Sequence, residues 1–204
     1  MVRIGVTGLM ASGKSTVARR FQERGAELVE GDSLGWEVLR RPSVRDAIAA
    51  SFGREVLDRE GAVDRSALGR IVFRDPASME RLNAIVQPEL VRRIREVLES
   101  GGAGVRVLDA AMLTYWRLEG ELDGVVEVVA PDEARVRRLR IARGYTDAEA
   151  RERIQGQKLP PVRGARRHWR IENGGDRAEL NRRADTVWDE IAGLERAASP
   201  RPLE

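Results

Sequence analysis

"RIGVTGLMASGKSTVARRF", residues 3–21, decides the fold. It opens on a short apolar run of strand type, sets Gly5, Gly8 and Gly13 within nine positions, and then turns amphipathic. Gly8-Leu-Met-Ala-Ser-Gly13-Lys14-Ser15 fits the pattern GxxxxGK[ST] at a strand-to-helix junction. Glycines there let consecutive backbone N–H groups turn inward around a phosphate, and the helix N-terminus adds its partial positive charge. Lys14 is then placed to reach β and γ phosphates, the Ser15 hydroxyl to ligate Mg²⁺, and Thr16 to hold an α-phosphate. Gly8, Ala11, Ser12 and Gly13, with Lys14, Ser15 and Thr16, form the expected cradle for ATP or GTP.

Composition bounds the rest. A chain of 204 residues, 42% apolar and 34% charged, has the make-up of one ordinary domain with room for insertions. No run approaches the roughly 18 apolar residues of a membrane span. The N-terminus reads straight into a strand with no basic-then-apolar leader, so a cytoplasmic location is expected. The absence of cysteine excludes disulfides, thiol catalysis and cysteine-ligated metal, and a single histidine, His168, excludes a histidine-rich metal site. Of the 36 lysines and arginines only Lys14 and Lys158 are lysines, leaving 34 arginines. Such a bias reads as coding composition, and with a net charge of +3 it argues for no nucleic-acid partner. Against that background a lysine at the one position that needs a compact ammonium stands out.

Apolar runs of strand length recur at 2–8, 26–30, 105–110 and 124–130, with a weaker one at 168–173. The first four are almost continuously apolar, which suits parallel strands covered on both faces. Helical patterns lie between them at 14–24, 33–51, 65–73, 76–100, 132–143, 147–157 and 176–197. The alternation predicts an α/β doubly wound fold with a mostly parallel five-stranded sheet and helices on both faces. Some 75 residues without a good strand, about 31–104, are too many for one crossover and read as a helical insertion. Within it Asp75-Pro76 is a helix start, and Pro88 is expected to kink or restart that helix. An arginine-rich, proline-interrupted stretch, 143–167, is expected to be a mobile lid, and the tail "SPRPLE" (199–204) to fray. The expected organisation is one domain: a core of about 1–32, 105–142 and 168–197, the insertion at 33–104 and the lid at 143–167.

Two carboxylates fall just past strand ends, where ligands of such sheets bind. Asp32 there is suited to accept a proton from an attacking hydroxyl, or more simply to cap the helix starting at Ser33. Asp109 ends the third strand and suits a magnesium ligand, or a loop cap. Arg138, Arg140, Arg143, Arg151 and Arg153 cluster at and after the helix following the fourth strand, where some are placed to close over ATP. Trp36 reads either as packing or as a platform for an acceptor.

Taken together, these stretches resemble the dephospho-coenzyme A kinase family along about residues 2–190. "VTGLMASGKSTVARRF", "GDSLGWEVL", "FGREVLDREGAVDRSALGRIVFRDPASMERLNAIVQPEL", "VVEVVAPDEARVRRLRIARGYTDAEARERIQGQ" and "RIENGG" carry the likeness. The resemblance implies a P-loop NTPase three-layer fold with a helical substrate domain and a lid. It implies ATP-dependent phosphorylation of the 3′-hydroxyl of dephospho-coenzyme A, with Asp32 as base and ATP and Mg²⁺ as cofactors. It places Arg65, Phe73, Asn83 and Gln87 on the acceptor side and Asn173 near adenine. Arg138, Arg140 and Arg143 compete for the lid arginine, and Gln157 ends the lid helix. The chain departs from the family pattern at Gln87 (usually histidine), Ala111 (proline), Tyr115 (glutamate), Arg163 (lysine) and Arg167-His168 (Ala-Asp). These departures keep two alternatives open: a kinase of another small hydroxyl or nucleotide, and an ATP-binding protein without transfer. ATP and dephospho-coenzyme A are the expected partners of a monomer or weak homo-oligomer.

Overall fold

The computed structural model describes residues 1–102 and 104–198, with the side chain of Ala198 excluded, so the tail 199–204 lies outside the described residues. The chain divides into two units, Met1–Glu30 with Gly101–Glu204, and Gly31–Ser100.

The first unit is built on five strands: β1 (Val2–Thr7), β2 (Glu27–Glu30), β3 (Val105–Asp109), β4 (Gly124–Val129) and β5 (His168–Glu172). All the pairings are parallel, in the order β2-β3-β1-β4-β5. The strand reading holds to within a residue or two, and "mostly parallel" becomes wholly parallel among the described strands. β1 is central, which explains its near-complete burial. Alternate residues Val2, Ile4 and Val6 join Val105, Val107, Val126, Val128 and Ile171 on one face of the sheet. Onto them pack α1 (Lys14–Glu23), through Val17, Ala18 and Phe21, and α8 (Arg177–Ala198), through Leu180, Ala184, Val187, Trp188 and Ile191. On the other face Gly5 leaves room for a loop: a Cβ there would sit 2.3 Å from Leu113 and 2.7 Å from Leu122.

Polar contacts reinforce the α1–α8 face. Arg20 donates to both carboxylate oxygens of Asp185 at 2.8 and 2.9 Å, and Arg24 reaches Asp185 and Asp189. Phe21 and Trp188 meet beneath them, ring centroids 5.6 Å apart. The connection from β4 to β5 carries α6 (Asp132–Arg143) and α7 (Asp147–Gly156), which pack on each other. Thr146 and Glu149 form a reciprocal capping box at the start of α7, and Val136, Leu139, Ala150 and Ile154 make a small separate core.

The second unit is helical: α2 (Gly31–Leu39), α3 (Pro42–Phe52), α4 (Arg65–Val72) and α5 (Pro76–Glu99). The single helix expected over 33–51 is two. Pro42 disfavours the helical region at Arg41, which is extended at φ −66°, ψ 131°, and Pro42 itself opens α3. The Asp75-Pro76 start is as read, with the Asp75 carboxylate accepting from Ala77 N and Ser78 N. Bonding to these donors and to the Ser78 hydroxyl first of all holds its carboxyl below the usual carboxylate range. Pro88 does not restart α5, which runs unbroken through it. The missing N–H removes one bond, but burial of Leu90, Ile94 and Leu98 and the Arg41–Glu89 and Arg92–Glu96 ion pairs secure the following turns. No helix among the described residues is long and apolar enough to cross a membrane.

The Arg20 guanidinium, and then Arg24, hold the Asp185 carboxyl below its ordinary range. A depressed carboxylate contributes stability above its unfolded value that is lost as pH falls through the folded one. Urea midpoints of Asp185→Asn and the parent should therefore differ at pH 7 and converge as pH drops below about 4.

Candidate nucleotide-binding site

The turn between β1 and α1 has the shape its sequence predicts. Gly13 is left-handed (φ 100°, ψ 10°) immediately before the first residue of α1. A side chain there would be strained by φ and would place Cβ 2.3 Å from Asn173 Nδ2. Ala11 is also left-handed (φ 60°), a conformation that costs an alanine about 1–2 kcal/mol. It is seated against the α6–α7 core, which supports that strained backbone. Gly8 lies against the backbone of Val128, and Ser15 and Thr16 occupy the first turn of α1 half-buried.

When a loop turns its N–H groups inward, its carbonyls face out and need donors of their own. Three side chains supply them here. Arg135 Nε donates to Met10 O at 2.9 Å. Arg138 Nη1 donates to Ala11 O at 3.1 Å, and Asn173 Nδ2 donates to Ser12 O at 2.6 Å. Arg138 Nη2 closes the set, donating to the side-chain and backbone oxygens of Asn173 at 2.8 and 3.0 Å. Burial, and then the neighbouring Arg137, push the Arg138 guanidinium pKa below its ordinary value. Gln157 Oε1 accepts from Met10 N, so the residue that ends α7 grips the tip of the loop.

The sequence-predicted residues divide accordingly. Lys14 and Asp109 are brought together: the Lys14 ammonium pairs with the Asp109 carboxylate at the end of β3. Arg138 and Asn173 are beside the loop, and their polar atoms hold its backbone. Arg140 is exposed and paired with Asp147 at 3.0 Å, while Arg143 is exposed in the last turn of α6. Asp32 is exposed in the first turn of α2, which begins at Gly31, so it is not that helix's N-cap. In the helical unit Arg65 opens α4 with its guanidinium 3.4 Å above the Trp36 ring, and Phe73 at the end of α4 is 83% exposed. Asn83 and Gln87, four apart on α5, share one half-buried face. Tyr115 is exposed.

Sequence reasoning missed the loop-holding role of Arg135 and Gln157. Arg135 sits three residues before Arg138, the spacing of one helix face, but in a chain with 34 arginines that signal is diluted.

A central parallel strand, this loop and a lysine opening the next helix define a P-loop nucleotide-binding protein of the small-molecule kinase type. The comparisons narrow the class: residues 2–179 match the dephospho-CoA kinase family, and the chain belongs to it. The dephospho-CoA kinase of Thermobifida fusca is 37% identical over 194 residues, covering 94% of this chain and 96% of that protein. That of Moorella thermoacetica is 38% identical, with 94% and 92% covered. A crystal structure from Thermus thermophilus superposes with a TM-score of 0.72 at 32% identity, covering 93% and 97%. The dephospho-CoA kinase of Campylobacter jejuni shares the fold, with a TM-score of 0.62 at 21% identity over 94% of this chain and 97% of that one.

Asn173→Ala would leave the Ser12 carbonyl without its donor and free Arg138 from its anchor. Nucleotide affinity is expected to fall about tenfold, the scale of one buried polar group left unsatisfied, as measured by titration with a non-hydrolysable ATP analogue.

Proposed function

We propose that this chain transfers the γ-phosphoryl group of ATP to the 3′-hydroxyl of dephospho-coenzyme A, giving coenzyme A. The observation that carries the reading is the braced loop with Lys14 at its exit, in a chain of the dephospho-CoA kinase family. Backbone N–H groups of the loop and the Lys14 ammonium bind the phosphates, with Gly8 giving the turn its room. Phosphate binding draws Lys14 from Asp109 towards the β and γ oxygens and frees the carboxylate.

The Ser15 hydroxyl and the freed Asp109 carboxylate are both hard oxygen donors of the kind Mg²⁺ takes. No cluster of three His, Cys, Asp or Glu side chains stands among the described residues as a dedicated cage. That suits an ion held mainly by phosphates and water with one or two protein oxygens, which would neutralise charge on the transferring phosphate. Asp32, two residues past β2 and exposed, orients the acceptor hydroxyl and takes its proton. Arg65, Phe73, Asn83 and Gln87 line the acceptor side, with Trp36 and Arg65 as a stacked pair. Arg138 is committed to the loop, so Arg143, whose guanidinium lies in solvent, and Arg140, once released from Asp147, serve the transferring phosphate. The lid is assigned to 143–167, and the enzyme is placed in the cytoplasm as a monomer or weak homo-oligomer.

The test is ADP release from Mg·ATP with dephospho-coenzyme A, adenosine and AMP as separate acceptors. Stimulation by dephospho-coenzyme A alone is expected. Stimulation by adenosine or AMP instead would move the assignment to another acceptor, and ATP binding without any turnover would make the chain a binding protein. Asp32→Asn should lower kcat by about two or more orders of magnitude with ATP affinity unchanged, whereas Lys14→Ala should weaken binding and transfer together.

A further inference from the structure

The tip of the nucleotide loop is a tight turn in a conformation its own sequence does not favour. Ser12 N donates to Leu9 O at 3.0 Å, closing a four-residue β-turn over Leu9–Ser12. Its third residue, Ala11, is left-handed at φ 60°. A left-handed third position marks the type II turn, which calls for glycine there, whereas alanine is at ease in a type I turn. The two turns differ by a rotation of roughly 180° of the central peptide unit, here Met10 C=O with Ala11 N–H.

A peptide unit is planar and trans, so its oxygen and its hydrogen point in opposite directions. Whatever fixes Met10 O therefore fixes Ala11 N–H. Arg135 Nε donates to Met10 O at 2.9 Å. Arg135 is itself a fixed post: it is 3% exposed, and its Nη1 lies 2.9 Å from Asp132 Oδ1. Met10 N is bonded to Gln157, so the preceding peptide is held as well. Ala11 N–H is thereby turned to the side opposite Arg135, and among the described residues it has no acceptor. In the type I alternative the two groups exchange places. The carbonyl oxygen, with its partial negative charge, then stands where the N–H donor stood.

We infer that Arg135 is a positioning residue for nucleotide binding: it holds the Met10–Ala11 peptide so that Ala11 N–H, and not Met10 O, is offered to the phosphates. The inference rests on the nucleotide half of the proposed function and is independent of the acceptor. With glycine at the third position the turn would hold itself. With Ala11 its competence is conditional on α6, which carries Arg135.

Titration with a non-hydrolysable ATP analogue tests this. Arg135→Met fills a similar volume and donates nothing, so affinity should fall about tenfold, the scale of the left-handed penalty on alanine that the lost bond no longer offsets. Arg135→Gln carries an N–H at the same place along the side chain as Nε and should bind within about threefold of the parent. Ala11→Gly added to Arg135→Met should recover most of the loss, because glycine takes the type II turn unaided. Three outcomes each overturn the inference: unchanged affinity in Arg135→Met, a loss that Ala11→Gly does not recover, or a tenfold loss in Arg135→Gln. The last decides even where Arg135→Met does not fold. In each case binding by the parent leaves the nucleotide reading standing, whereas a parent that binds no analogue overturns that reading and the inference with it.

Discussion

A loop that points its N–H groups at an anion must dispose of its carbonyls, and the rest of this unit is arranged around that requirement. The donors come from far along the chain: Arg135 is 125 residues from Met10, and Asn173 is 161 residues from Ser12. Each is held by an element that cannot form alone. Asn173 follows the edge strand β5 and is tied to β4 through its own N–H to Val129 O. Arg135 and Arg138 stand one turn apart on α6, whose buried side packs on α7 and on Ala11. The nucleotide site is thus a product of the completed sheet and not of the motif. Use of guanidinium groups adds a second benefit, since charge-assisted bonds are roughly twice as strong as neutral ones and leave positive potential behind the phosphates.

The same economy governs Lys14. Its half-buried ammonium has a counter-charge within the protein, the Asp109 carboxylate. On the proposed function, nucleotide entry is an exchange of partners in place of the creation of a new ion pair from solvated groups. Asp109 is only 8% exposed, so on the proposed function the released carboxylate needs a cation in turn.

Much of this was legible in the sequence because parallel strands buried on both faces read as unbroken apolar runs. β5 was the faint one because it is an edge strand whose alternate residues His168, Arg170 and Glu172 are all polar and exposed. The α2–α3 break was hidden by an apolar rhythm, Leu34, Val38, Val44, Ile48 and Phe52, that carries across it, although Pro42 marked the place. Lys14 and the glycines announced themselves because no other residue types serve there. Arg135, Arg138 and Asn173 were harder: their work is to satisfy carbonyls, and nothing in a linear sequence tells which backbone oxygens will be turned outward.

The scarcity of lysine has a practical corollary. Lys14 sits in the nucleotide loop, and Lys158 lies exposed on the segment returning from α7. An amine-directed acylating reagent therefore meets only two lysine side chains in these 204 residues, one in the nucleotide loop and one outside it as a built-in reference. The mass of the labelled protein becomes a direct footprint of occupancy, with no probe introduced and no residue replaced.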